Sequence, residues 1–175
     1  MFQRWLTASN QLDRGKDVGE SSDTPMILVI NGPNLNLLGT REPKLYGSTT
    51  LLEIIDDLHL RADAGSPSLA VKAFQSNHEG ALIDFLQVEA AGAAGVIINA
   101  GAFTHYGYAI RDALANLPIP VIEVHITNIH ARESFRHHSV ISGIVTGQIV
   151  GLGVDGYRLA LEWHRSHLAA STGEG

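Results

Sequence analysis

Met26-Ile27-Leu28-Val29-Ile30, running into Asn31-Gly32-Pro33-Asn34-Leu35-Asn36-Leu37-Leu38-Gly39, decides the architecture. Five consecutive β-rich apolar residues have no polar face to turn toward water, so the strand they predict is buried on both sides. The same reading holds for Gly95-Val96-Ile97-Ile98, for Ile119-Pro120-Val121-Ile122-Glu123-Val124 and for Ile144-Val145-Thr146-Gly147-Gln148-Ile149-Val150. Leu69 to Phe74 is a weaker fifth candidate. Helical patterns lie between these runs. Thr50-Leu51-Leu52-Glu53 is a capping box, with Leu51, Ile54, Ile55 and Leu58 on one face of the helix it opens. Ser76-Asn77-His78-Glu79 reads as a second capping box, before Leu82, Ile83, Phe85 and Leu86. Further helices are predicted near His105 and Asp155.

The order is β-α-β-α-β-α-β-(short helix)-β-α. Right-handed βαβ units of this kind give an α/β fold with a parallel sheet covered on both faces. For five strands the expected arrangement is a flavodoxin-like three-layer fold, strand order 2-1-3-4-5. Ligands in such sheets bind beyond the carboxyl ends of the strands, so the segments after residues 30, 74, 98 and 124 are the places to search.

Composition narrows the function. The chain has 175 residues, 45% of them hydrophobic, enough for one core in a single domain. Twelve basic against 18 acidic residues give a net charge of −6, which argues against nucleic acid or an anionic membrane as partner. Cysteine is absent, which excludes disulfides, thiolate metal sites and a cysteine nucleophile. No run approaches the roughly 18 apolar residues of a membrane span. Residues 1–25 contain no apolar signal core and are expected to be a disordered leader, with a single catalytic domain over 26–168 and a flexible tail over 169–175. A cytoplasmic location is the corresponding expectation.

Gly151-Leu152-Gly153-Val154-Asp155-Gly156 fits GxGxxG, but too little chain follows for the second strand of a dinucleotide-binding unit. Close strand–helix packing is the expected use. The first loop, Asn31 to Gly47, is long for a βα connection and carries Asn31, Asn34 and Asn36, which suit directional hydrogen bonding. Its Arg41 could simply pair with Glu42. Beside Tyr46, however, an arginine favours the phenolate over a phenol whose reference pKa is about 10, making a general base. Glu123 and His125 are two apart on a strand and project to one face, where a carboxylate orients an imidazole for acid catalysis. Four histidines between 125 and 138 invite a metal, yet their spacing is not HExxH and Arg132 and Arg136 would repel a cation. Those arginines, four apart, share a face if helical and could address an anionic or polyhydroxylated ligand; for Arg132 a solvated stripe is the equal alternative. Asn99-Ala100-Gly101 lets backbone approach a ligand, and His105 could bind it or cap the next helix. Glu79 is assigned to its capping box rather than to catalysis.

These segments together resemble type II 3-dehydroquinate dehydratase, a shikimate-pathway lyase of aromatic amino acid biosynthesis. The resemblance is carried by Asn31 to Gly39, Arg41-Glu42-Pro43 with Tyr46-Gly47, Gln75 to Gly80, Asn99-Ala100-Gly101 with Thr104-His105, and Glu123-Val124-His125. Ala131-Arg132-Glu133, Phe135-Arg136, Gly151-Leu152-Gly153 and Gly156-Tyr157 extend it over residues 26 to about 168. It implies reversible dehydration of 3-dehydroquinate to 3-dehydroshikimate without metal, organic cofactor or Schiff-base lysine. Tyr46 would remove a C2 proton, with Arg41 holding the phenolate. Asn34 would position a water on the enolate, and His125, oriented by Glu123, would protonate the departing hydroxyl. Asn99 and the backbone N–H groups of Ile126 and Thr127 would hold the carboxylate, and His105 and Arg136 the ring hydroxyls. The resemblance also implies a homo-oligomer, a dodecamer built from trimers, with Asp112 reaching a neighbour's site; Arg111-Asp112 could equally be a surface bridge.

Thr127 stands where serine is common, and Tyr106-Gly107 where Thr-Ser is more usual. Two other flavodoxin-like functions fit less well. An FMN carrier needs a short Ser/Thr/Gly loop after the first strand. A receiver domain needs acidic residues where Asn31 and Asn99 stand.

Overall fold

The computed structural model describes residues 24–40 and 48–172. Five strands form one parallel sheet: β1 (Met26–Asn31), β2 (Ala70–Gln75), β3 (Gly95–Asn99), β4 (Val121–His125) and β5 (Gly147–Val150), in the order β2-β1-β3-β4-β5. Among the described residues four α-helices cover it: α1 (Leu51–Ala64), α2 (Glu79–Glu89), α3 (Tyr108–Ala115) and α4 (Asp155–Thr172). The expected fold and strand order are what the chain adopts.

Alternation along β1 sorts the core. Ile27 and Val29 pack with Ile54 and Leu58 of α1 and Ala160 and Leu161 of α4, while Leu28 and Ile30 pack with Leu82 and Leu86 of α2 and Ile110 and Leu114 of α3. Full burial of a side chain such as Leu58 contributes about 1.5–3 kcal/mol, so this two-sided packing is what holds the strand ends in place.

The first capping box forms: Thr50 Oγ1 accepts from Glu53 N at 3.2 Å, and Glu53 Oε2 accepts from Thr50 N at 2.7 Å. The second does not. Ser76 Oγ accepts from His78 N at 3.0 Å, and the Glu79 carboxylate reaches away to accept from Ile110 N at 3.0 Å. The reason lies at α3, whose N-cap, Gly107, has no side chain to offer. Glu79 supplies the missing acceptor from a neighbouring helix. The space is consumed: a Cβ on Gly107 would lie 2.8 Å from Glu79 Oε1.

Several boundaries differ from expectation: the fourth strand starts at Val121 rather than Ile119, and the helix expected near His105 starts at Tyr108. Residues 144–146 stay out of β5, because Ile144 N and Val145 N both turn back to Ile141 O. Helix α4 continues to Thr172, into the stretch expected as a tail. Among the described residues, no helix is long and apolar enough to cross a membrane.

Candidate active site

Close approach of two loops builds the floor of the site. Gly32 N donates to Asn99 O at 2.8 Å, and a Cβ on Gly32 would lie 2.2 Å from Ala100 O, so only glycine fits there. The chain then turns through Asn34 in the left-handed region (φ 65°), a conformation asparagine tolerates better than most residues. Asn34 N donates to Asn77 Oδ1 at 2.9 Å; Gln75 Nε2 donates to Asn77 Oδ1 at 3.1 Å and to Gly32 O at 3.2 Å. The loop after β2 thus stitches down the loop after β1.

Above this floor lies a cavity of about 180 Å³, lined by Asn34, Asn99, His105, His125, Arg132 and Arg136 among others. A cavity of roughly 150 Å³ takes up a benzene ring, so a six-membered carbocycle fits. Ile126 and Thr127 complete the wall after β4. Their backbone N–H groups are spent on no other group among the described residues, whereas His125 O and Ile126 O accept from Gly151 N and Gly153 N, both at 3.0 Å. The GxGxxG stretch therefore braces the site wall. It also packs closely, since a Cβ on Gly156 would meet Val124 Cγ1 at 3.0 Å.

Glu123 and His125 do face one another, with His125 Nε2 2.7 Å from Glu123 Oε1 and both residues buried. The carboxylate also accepts from Thr104 Oγ1, from Gln148 Nε2 at 2.6 Å and from Ser139 Oγ at 3.1 Å. Ser139 Oγ in turn accepts from Ser142 N at 2.9 Å and lies 2.9 Å from Thr104 Oγ1, so the two hydroxyls and the carboxylate form one cluster. Burial alone would raise the Glu123 pKa, but the His125 hydrogen bond and charge, with Thr104 and Gln148, hold it below the usual carboxylate range. With Glu123 ionised and accepting, His125 Nε2 carries a hydrogen and Nδ1 is the atom left to exchange a proton.

His105 Nδ1 lies 2.8 Å from His138 O, so it is a donor there. Burial lowers the His105 pKa, against the raising effect of that carbonyl, and the Arg136 charge lowers it further. Arg132 and Arg136 do not share an α-helical face as expected. Short 3-10 turns at Ile129–Ala131 and Ser134–Arg136 carry this segment, yet both arginines line the cavity. Glu133 accepts from Arg136 Nε at 2.9 Å and lies 3.5 Å from Arg132 Nε. Asp112 is exposed, paired with Arg111 at 3.1 Å, and does not line this cavity. Arg41 and Tyr46 lie outside the described residues. Lys72, the one lysine among them, pairs with Glu89 at 2.7 Å away from the cavity.

Several contributors have contacts that no sequence signal spells out, although Thr104 and Tyr157 stand in segments that carry the resemblance. Thr104, Ser139 and Gln148 surround Glu123, and Gln148 is its register partner on β5. Tyr157, fully buried, donates to Asn31 Oδ1 at 2.7 Å and accepts from Asn99 Nδ2 at 2.9 Å. In the sequence Tyr157 enters only through the Gly156-Tyr157 pair, which says nothing of the two asparagines it bridges.

A parallel sheet with a polar cavity, lined by His105 and His125, beyond its carboxyl edge defines a flavodoxin-like enzyme. The chain belongs to the Dehydroquinase class II family, whose model matches residues 25–165. It is 62% identical over 137 residues to a 3-dehydroquinate dehydratase of Roseiflexus castenholzii, covering 78% of this chain and 86% of that protein. It is 56% identical over 136 residues to Catabolic 3-dehydroquinase 1 of Neosartorya fischeri, covering 78% and 89% of the two chains. The crystal structure of type II dehydroquinase from Propionibacterium acnes superposes with a TM-score of 0.78 at 46% identity, covering 82% of this chain and 97% of that one.

Proposed function

We propose that this enzyme dehydrates 3-dehydroquinate to 3-dehydroshikimate through an enolate, with Tyr46 as base and His125 as acid. One observation supports it above the rest: a buried imidazole, 2.7 Å from a carboxylate surrounded by donors, beneath a cavity with two arginines at its wall. An anionic substrate suits that wall, and a leaving hydroxyl suits that acid.

In this reading Tyr46 phenolate, held ionised by Arg41, takes the proton from C2, and the C–H electrons move onto the C3 carbonyl oxygen. A water positioned by Asn34 stabilises that enolate. As the enolate collapses, the C1–O bond breaks; His125, imidazolium against ionised Glu123, gives its proton to the departing hydroxyl, which leaves as water. The substrate carboxylate is held by Asn99 and the N–H groups of Ile126 and Thr127, and the ring hydroxyls by His105 and Arg136. Each step is a proton transfer within reach of side-chain chemistry, so the mechanism calls on no cofactor and no imine.

The test is enone formation from 3-dehydroquinate, followed by ultraviolet absorbance with chelator and borohydride controls. Turnover should survive both treatments. Tyr46→Phe should abolish turnover with the fold intact, and His125→Ala should lose more in kcat than in KM. Wild-type rates in Tyr46→Phe would remove tyrosine from the base role, and a change confined to KM in His125→Ala would remove the acid assignment.

A further inference from the structure

Three buried polar side chains under the cavity have no part in the reaction as written: Asn31, Tyr157 and the inner half of Asn99. Asn31 and Asn99 are the last residues of β1 and β3 and are register partners in the sheet. The Tyr157 hydroxyl, brought across by α4, bridges them. It accepts from Asn99 Nδ2 at 2.9 Å and donates its single hydrogen to Asn31 Oδ1 at 2.7 Å.

A hydrogen count on Asn99 gives the chain a direction. Its Oδ1 accepts from Gly101 N at 3.2 Å, and one Nδ2 hydrogen goes to Tyr157. What remains is the second Nδ2 hydrogen, on a residue that lines the cavity. Turning the amide over would set its carbonyl against a phenol oxygen whose hydrogen is committed to Asn31, and its NH₂ against the Gly101 N–H. The Gly101 N–H opposes the flip on one side of the amide, and the phenol, while its hydrogen is committed to Asn31, opposes it on the other.

Stability alone does not explain this arrangement. Among the described residues Asn31 Nδ2 is buried with no hydrogen-bond partner, so the network carries an unsatisfied donor that an apolar packing would avoid. We propose that Tyr157 is a positioning residue: through its hydroxyl it fixes the sense of the Asn99 amide, so that the cavity meets an N–H donor suited to a carboxylate oxygen. This rests on the reading in which Asn99 holds the substrate carboxylate.

The test is steady-state kinetics of the full chain with 3-dehydroquinate for wild type, Tyr157→Phe, Asn99→Ala and the double variant. A charge-assisted hydrogen bond misdirected rather than removed should raise KM about tenfold in Tyr157→Phe, with kcat within about twofold. Asn99→Ala should raise KM at least as far, and the double variant no further, because both act through one contact. A merely loosened fold would instead lower the active fraction and leave KM alone. Wild-type KM in Tyr157→Phe beside a raised KM in Asn99→Ala overturns the proposal, as does a double variant that multiplies the two losses. Unchanged KM in Asn99→Ala sinks the carboxylate assignment instead, a separate result. If Tyr157→Phe does not fold, Asn31→Ala serves: it leaves the cavity lining untouched but removes the acceptor for the phenol hydrogen. Its KM should rise in the same direction, and a wild-type KM there also overturns the proposal.

Discussion

Among the described residues, four side chains direct a hydrogen at Glu123: Thr104, Ser139, Gln148 and His125. A carboxylate so surrounded is stable only as an anion, and its pKa lies below the usual value. The linkage follows in sign. Its stabilising contribution is complete above the unfolded carboxylate pKa and is lost as pH falls through the lower folded value. Gln148→Leu removes one donor to a charged acceptor and should cost about 1–2 kcal/mol at pH 7. It should also bring acid unfolding to higher pH, since the folded pKa moves back up. Urea titrations at pH 7 and at acid pH measure both effects, and an unchanged acid midpoint would contradict the assigned cradle. The Glu123–His125 pair was legible in the sequence because the spacing of two on a strand is unambiguous. Gln148 was not, because only strand register sets it opposite Glu123.

At the scale of elements, strands and helices were read where local signals and tertiary contacts agree. β1 is apolar throughout and buried throughout, and the Thr50–Glu53 box closes as written. The reading missed where a side chain had a better partner elsewhere. Glu79 fits the capping pattern of α2, but α3 begins at a glycine and takes the carboxylate instead. Helix α4 hides another such commitment. His164 is buried against Gly95, donates from Nε2 to Val96 O at 3.1 Å, and leaves Nδ1 without a partner among the described residues. Burial takes its pKa down to about 4 from 6.5, against the raising effect of the Val96 carbonyl. The unfolded chain therefore binds a proton that the folded one refuses between those values, so stability falls as pH drops from about 6.5 toward 4. Between pH 7 and pH 5 this one group should cost about 2 kcal/mol. His164→Gln, which keeps a donor for Val96 O, should flatten that slope; an unchanged slope would place the proton uptake elsewhere.

At the scale of the molecule, one chain supplies a cavity with most of its expected residues, while Asp112 stands on an exposed helix face outside it. We propose that Asp112 serves a neighbouring copy within a dodecamer built from trimers. Sedimentation should then show a mass near twelve chains, and Asp112→Ala should raise KM several-fold with His125 chemistry intact. A monomer with full activity would dismiss the assembly, and a wild-type KM in Asp112→Ala would dismiss the shared site. This arrangement could be expressed in sequence terms only through the resemblance, since periodicity and spacing within one chain say nothing of its neighbours.

The contact of Gly32 with the Ala100 carbonyl has a consequence for traffic. With the two backbones touching, and Asn31, Ala100 and Tyr157 wholly buried beneath them, the cavity has a closed bottom. The molecule of water expelled in each turnover must therefore leave by the same mouth that admits the substrate, ahead of the product or together with it. Such a blind-ended site takes its passengers one at a time: the next substrate waits until the vestibule has emptied.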